Sequence, residues 1–182
     1  MRPRARAWIA VGANLGDRLG TMRSAAAMIE TAIADTTLVA TSPVYETRPI
    51  GPSIEPFLNA ALEVSTGREP GELLEALHDI ERVHHRERRV RWEARTLDLD
   101  LLAFRHEGEA AIVREDDGAL VLPHPRAHLR DFVLQPLVDL GATFVLFGDR
   151  TPEQLLATLP GQALTILRQT TDSLAPEHLQ RI

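Results

Sequence analysis

The chain has 182 residues, 44% apolar and 25% charged, with no cysteine and a formal net charge of −6. This length and balance suit one globular domain and exclude a disordered chain, a disulfide scaffold and a thiolate metal centre. The acidic balance argues against a dedicated nucleic-acid binder, and because all 20 basic residues are arginine, mechanisms built on a P-loop or Schiff-base lysine are excluded too.

The opening "MRPRARAWIAVGANLGD" imitates a signal peptide, but its apolar run stops at Asn14. "AWIAV" reads as a first strand and "GANLGDR" as a loop. Leu19, Met22, Ala26, Ile29 and Ile33 then recur at helical spacing behind Asp17, a plausible N-cap. "TTLVATSPVYET" is rich in β-branched residues and reads as a second strand, followed by the Pro/Gly-punctuated loop "RPIGPSIEP". "FLNAALEVS" alternates with period two, which separates Leu58, Ala60, Leu62 and Val64 from Phe57, Asn59, Ala61 and Glu63. A helix over "EPGELLEALHDIERVHH" buries Leu73, Leu77 and Ile80. "TLDLDLLAF" is a strand by its flanks and length. A hairpin around Asp117-Gly118, a helix over roughly "RAHLRDFVLQPLVDL", a short strand "TFVLF" and a capped helix "TPEQLLATL" complete the domain, expected over 1–160. The tail 161–182 has no clear assignment. The order β-α-β-β-α-β over the first two-thirds predicts an α+β, ferredoxin-like sandwich: an antiparallel sheet with helices packed on one face, plus an extra hairpin and a C-terminal helix.

If "TLDLDLL" is a strand, Leu97, Leu99 and Leu101 point to the core. Asp98 and Asp100 then share the opposite face, about 7 Å apart between Cα atoms at the usual strand rise. Two adjacent carboxylates repel unless a cation joins them, and Mg²⁺ commonly takes one or two carboxylates plus substrate phosphates. The bland alternative is an acidic edge that discourages aggregation. Residues 82–95 weigh against it, because they gather Arg82, Arg86, Arg88, Arg89, Arg91 and Arg95 with His84 and His85. Guanidinium forks beside a carboxylate pair suit a nucleotide polyphosphate. A solvated helix end and an RNA-binding loop are the competing readings. The RNA reading wants stacking aromatics, and the chain is only 4% aromatic. Phe57 beside Asn59 suits a flat heterocycle with mixed donors and acceptors.

Together these segments resemble the 6-hydroxymethyl-7,8-dihydropterin pyrophosphokinase family. "RWEARTLDLDLL" resembles its signature, "VGANLGDR" its opening motif, "YETRPIGPSIEPFLNAA" its pterin loop and "LPHPRAHLRDFVLQPL" its histidine–arginine block, in register from about residue 7 to 140. The resemblance implies transfer of pyrophosphate from ATP to a reduced pterin, releasing AMP, in folate biosynthesis. It implies that Asp98 and Asp100 hold two Mg²⁺ ions, and that Arg86 and Arg95 join them in catalysis. Arg88, Arg91 and Trp92 would complete the loop and clamp around ATP, with Glu81, Leu101, His124 and Arg130 as further ATP contacts. The pterin would stack between Phe57 and Phe132, its edge read by Asn59, Thr47 and the backbone near Ile50. Glu93-Ala94 stands where the family usually has Gly-Pro. The competing functions are a catalytically weak nucleotide-binding paralogue and another Mg²⁺-dependent phosphoryl or nucleotidyl enzyme. The implied partners are ATP and the reduced pterin alone, for a cytoplasmic monomer without nucleic-acid or membrane partners.

Overall fold

Strand β1 (Ala5–Ala13) runs through the middle of the sheet, with nearly every residue buried. The computed structural model describes residues 3–49, 54–84, 96–116, 118–161 and 164–176. Helix α1 (Arg18–Ala32) follows, capped by Asp17, whose Oδ1 accepts from Gly20 N at 3.0 Å. The β-branched run that reads as one strand forms two, β2 (Thr36–Thr41) and β3 (Tyr45–Thr47). They part at Ser42-Pro43, since proline cannot donate to a ladder, and Ser42 Oγ accepts from Ala61 N instead, at 2.9 Å. Both pair with β4 (Phe57–Thr66). Helix α2 (Pro70–Val83) opens with proline in its first turn and a Glu69–Glu72 capping box, and β5 (Asp98–His106) follows it.

The sheet order is β5–β1–β4, with β2 and β3 end to end along the far side of β4, and all these pairings are antiparallel. The protein is therefore a mixed α/β fold built on an antiparallel sheet. One face buries Ile9, Val11, Leu58, Leu62, Leu99 and Leu101 under α1 and α2, whose Met22, Ile29, Leu73, Leu77 and Ile80 complete that core. β5 bulges: Ile9 pairs with Leu101 and Trp8 with Ala103, leaving Leu102 extra. Leu101 stays in the first core while Leu102 turns to the second face.

That second face is not simply open, as one-sided helix packing predicts. Helix α3 (Asp131–Asp139), which starts after a 3₁₀ turn at Ala127–Leu129, and helix α4 (Pro152–Ala157) cover part of it. Trp8, Leu102, Val133, Leu134, Leu137, Phe144 and Leu155 form this second core, with the Trp8 and Phe144 ring centres 4.5 Å apart. The expected strand "TFVLF" is not formed. Ala142, Phe144 and Leu146 are buried alternately, as period two requires, but among the described residues no ladder forms along them, and the segment closes with a Phe147–Arg150 bridge. The expected hairpin is present as β6 (Glu115–Asp116) and β7 (Val121–Leu122). Within the unassigned tail, β8 (Ile166–Gln169) pairs with β3, and Leu174 reaches the first core. Among the described residues no helix is long and apolar enough to cross a membrane.

Candidate active site

Directly opposed residues of antiparallel strands project to the same face. Gly12 opposes both Asp98 on β5 and Asn59 on β4, and Asn59 in turn opposes Tyr45 on β3. Ala10 likewise opposes Asp100 and Ala61. The carboxylates and the carboxamide therefore lie in one row, two strand spacings or about 10 Å apart. Between them is a floor of Gly12, Ala10 and Ala61, with no side chain beyond a methyl group.

At the Asn59 end, Nδ2 donates to Thr47 Oγ1 at 2.7 Å, and Thr47 itself is buried. A Cβ at residue 12 would sit 2.8 Å from Asn59 Oδ1, so only glycine leaves the carboxamide where it is. The sequence reading puts Gly12 in the loop "GANLGDR", whereas it belongs to β1, where a glycine allows close approach of another group. Thr47 opposes Phe57, which is half-buried on the same face as Asn59. Phe132, also half-buried, stands in the first turn of α3 with the Arg130 guanidinium 5.6 Å from its ring centre.

At the other end, Asp98 and Asp100 are half-buried while Leu97, Leu99 and Leu101 are buried, as the alternation predicts. His124 Nε2 lies 3.8 Å from Asp100 Oδ2. The histidine is set there by its own backbone, whose N–H donates to the carbonyl of the bulged Leu102 at 2.9 Å. Its Nδ1 accepts from Arg126 N at 3.2 Å, so the neutral ring carries its proton on Nε2, toward Asp100. Burial holds this imidazole below its ordinary pKa, with the Asp100 carboxylate pulling the other way. Among the described residues no group of three or more His, Cys, Asp or Glu is placed to hold a metal ion; carboxylate oxygens are the ligand type that a hard divalent cation takes.

Glu81, an ATP contact by the family resemblance, is turned toward β5. It is 2% exposed, and its Oε1 accepts from Leu99 N at 2.7 Å. β5 is the sheet's edge, and this carboxylate caps the outward N–H between the two aspartates. The Leu101 side chain is likewise in the core. Ile50, Arg86, Arg88, Arg91, Trp92 and Arg95 lie outside the described residues. The residues that flank the arginine-rich segment are tied together, with Thr96 Oγ1 donating to the His84 carbonyl at 2.8 Å.

Residues 8–142 match the sequence model of 7,8-dihydro-6-hydroxymethylpterin-pyrophosphokinase. The chain belongs to this family. It is 43% identical over 135 residues to the 2-amino-4-hydroxy-6-hydroxymethyldihydropteridine pyrophosphokinase of Bacillus subtilis, covering 74% of this chain and 77% of that one. The Pseudomonas aeruginosa pyrophosphokinase is 38% identical over 160 residues, covering 87% and 94%. A crystal structure of an HPPK-DHPS in complex with substrates superposes with a TM-score of 0.62 at 14% identity, over 86% of this chain. Wild-type Plasmodium falciparum HPPK-DHPS gives 0.61 at the same identity. This pyrophosphokinase-family chain spans less than half of those longer chains, 43% and 45%.

Two outcomes follow from this geometry. Gly12→Ala should displace the Asn59 carboxamide, raising the KM for the pterin about tenfold, the loss of roughly one buried hydrogen bond, with the fold retained; steady-state kinetics and circular dichroism check this. Glu81→Ala strands the Leu99 N–H and should cost about 1–3 kcal/mol in urea unfolding, with Glu81→Gln, which keeps an acceptor, losing less.

Proposed function

We propose that the row from Asp98 to Asn59 is the active site of this pyrophosphokinase. The protein is an ATP-dependent transferase that moves pyrophosphate from ATP to 6-hydroxymethyl-7,8-dihydropterin, giving the pterin diphosphate and AMP in folate biosynthesis. The observation that carries the site reading is the division of one sheet face. Anionic ligands stand at one end, a carboxamide and aromatic rings at the other, and a floor of small residues lies between.

In this reading Asn59 and Thr47, with the backbone near Ile50, read the pterin edge, and the ring stacks between Phe57 and Phe132. Only the small residues of β1, Gly12 and Ala10, stand between this end of the row and the carboxylates. Asp98 and Asp100 would hold Mg²⁺, two ions in our proposal, which would offset phosphate charge when bound. His124 Nε2–H and Arg130 face the polyphosphate from beside Asp100. Arg86, Arg88, Arg91, Trp92 and Arg95 form the clamp on its far side, with Arg86 and Arg95 at the transferred group. Leu101 contributes through its backbone, and Glu81 acts through the strand it holds. Catalysis is then mainly positioning and charge neutralisation, with attack at the β-phosphorus. The strand order supports reading the β-α-β-β-α-β core as ferredoxin-like.

Incubation with Mg-ATP and the reduced pterin tests the reaction: AMP with pterin diphosphate is expected, and ADP would indicate transfer of a single phosphoryl group instead. Asp98→Asn and Asp100→Asn should each cut kcat by orders of magnitude while the metal-free protein unfolds at an equal or slightly higher temperature, because carboxylate repulsion is relieved. Near-normal turnover in both variants at ordinary Mg²⁺ would sink the metal assignment. Asn59→Ala and Phe132→Ala should weaken pterin binding by about 1–3 kcal/mol each and leave ATP affinity measured without pterin unchanged.

A further inference from the structure

Asp131 lies between Arg130 and Phe132 and is 1% exposed. A carboxylate this deeply buried is costly unless its oxygens are filled. They are filled from the C-terminal segment. Thr165 Oγ1 donates to Oδ1 at 2.6 Å, Ile166 N donates to Oδ2 at 2.9 Å, and Thr165 N donates to Oδ2 as well. Phe132 N closes the set on Oδ1 at 2.8 Å. Thr165 then reaches the other way: its carbonyl accepts from Arg48 N at 2.9 Å, one residue past Thr47, and Ile166 opposes Thr47 across the β3–β8 ladder. The far end of α3 is tied to the same strand, with Tyr45 Oη donating to Asp139 Oδ2 at 2.7 Å.

From this geometry we infer that residues 165–166 are a strap that sets the width of the pterin pocket, with Asp131 and Thr165 as positioning residues. The proposal rests on the pterin-site reading above. One wall of that pocket is Thr47 with Asn59, and the other is Phe132 at the start of α3. Thr165 holds the first wall through Arg48 N and the second through Asp131, so one residue fixes the separation of the two. Thr165 and Ile166 lie beyond the part of the chain that matches the family model, which ends at residue 142.

The test compares Thr165→Val, Thr165→Ser and Asp131→Asn in the full-length protein by KM for the pterin, Kd for an ATP analogue without pterin, and thermal unfolding. Thr165→Val removes the hydroxyl donor at little change in volume. Asp131→Asn replaces an acceptor oxygen with a donor facing the Thr165 and Ile166 amides. Both should raise the KM for pterin about tenfold, with ATP-analogue affinity within about twofold of the parent, and Thr165→Ser should restore the parent value. A support for the fold alone would lower the unfolding temperature and the active fraction while leaving the pterin KM unchanged. That result in folded Thr165→Val, or a parallel loss of ATP affinity, overturns the strap, whether or not Asp131→Asn yields soluble protein. Phe132→Ala and Asn59→Ala run alongside: if they too leave the pterin KM unchanged, the pterin site is misplaced, whereas a pterin defect in these two but not in Thr165→Val overturns the strap alone.

Discussion

The register of β1 between β4 and β5 is the constraint on which the rest depends. Gly12 opposes Asp98 on one side and Asn59 on the other, so a single strand aligns groups that are 39 residues apart in the chain by numbering (59 and 98). Because side chains alternate with period two, a slip of one residue on either side would send one set of site groups into the apolar core. The apolar partners prevent it. Leu97, Leu99, Leu58 and Leu62 are buried under α1 and α2, and a slip would exchange them for aspartate and asparagine. The packing of one face thus fixes the chemistry of the other.

Among the described residues, Glu81 and Asp131 are the buried acidic side chains, and they share a design. Each accepts hydrogen bonds from backbone N–H groups, and each contacts the chain between two expected site residues. Glu81 holds Leu99, between Asp98 and Asp100; Asp131 sits between Arg130 and Phe132. An uncompensated buried carboxylate costs several kcal/mol, so these positions tolerate little displacement of the amides that satisfy them. A charge-assisted hydrogen bond to the backbone is a stiff tether, and it holds a strand or helix start without occupying the site face. The bulge at Leu102 does comparable work by different means, offering its carbonyl to His124 N and so fixing the imidazole beside Asp100.

Much of this was legible in the sequence, because the signals were periodic. The alternation in "FLNAALEVS" and "TLDLDLL" predicts which residues face the site, and Asp17, Leu73, Leu77 and Ile80 behave as helix patterning requires. What the sequence hid was tertiary. "TFVLF" alternates as a strand does but lacks a neighbour to pair with, and side-chain burial alone does not create a ladder. "TTLVATSPVYET" carries its own breaker in Pro43, outweighed in the reading by the β-branched residues around it. The tail gave no pattern because β8 is short, largely exposed and paired to an equally short strand. The backbone contact of Glu81 was hidden because nothing local reveals a partner amide 18 residues on.

A net charge of −6 repels a nucleotide triphosphate at long range, so binding must come from cations within about a Debye length, roughly 8 Å, of the phosphates. Arginines 86, 88, 89, 91 and 95 supply that local reserve in the sequence, while Arg82 is already paired with Asp79 on α2. Guanidinium groups fit this task better than ammonium groups, since a planar fork fixes the orientation of a phosphate as well as its charge. Asp98 and Asp100, which follow these arginines in the sequence, would oppose a phosphate if they acted alone. In the proposed site, Mg²⁺ held by the carboxylates would turn that repulsion into attraction, which would make aspartates and arginines compatible around one polyphosphate.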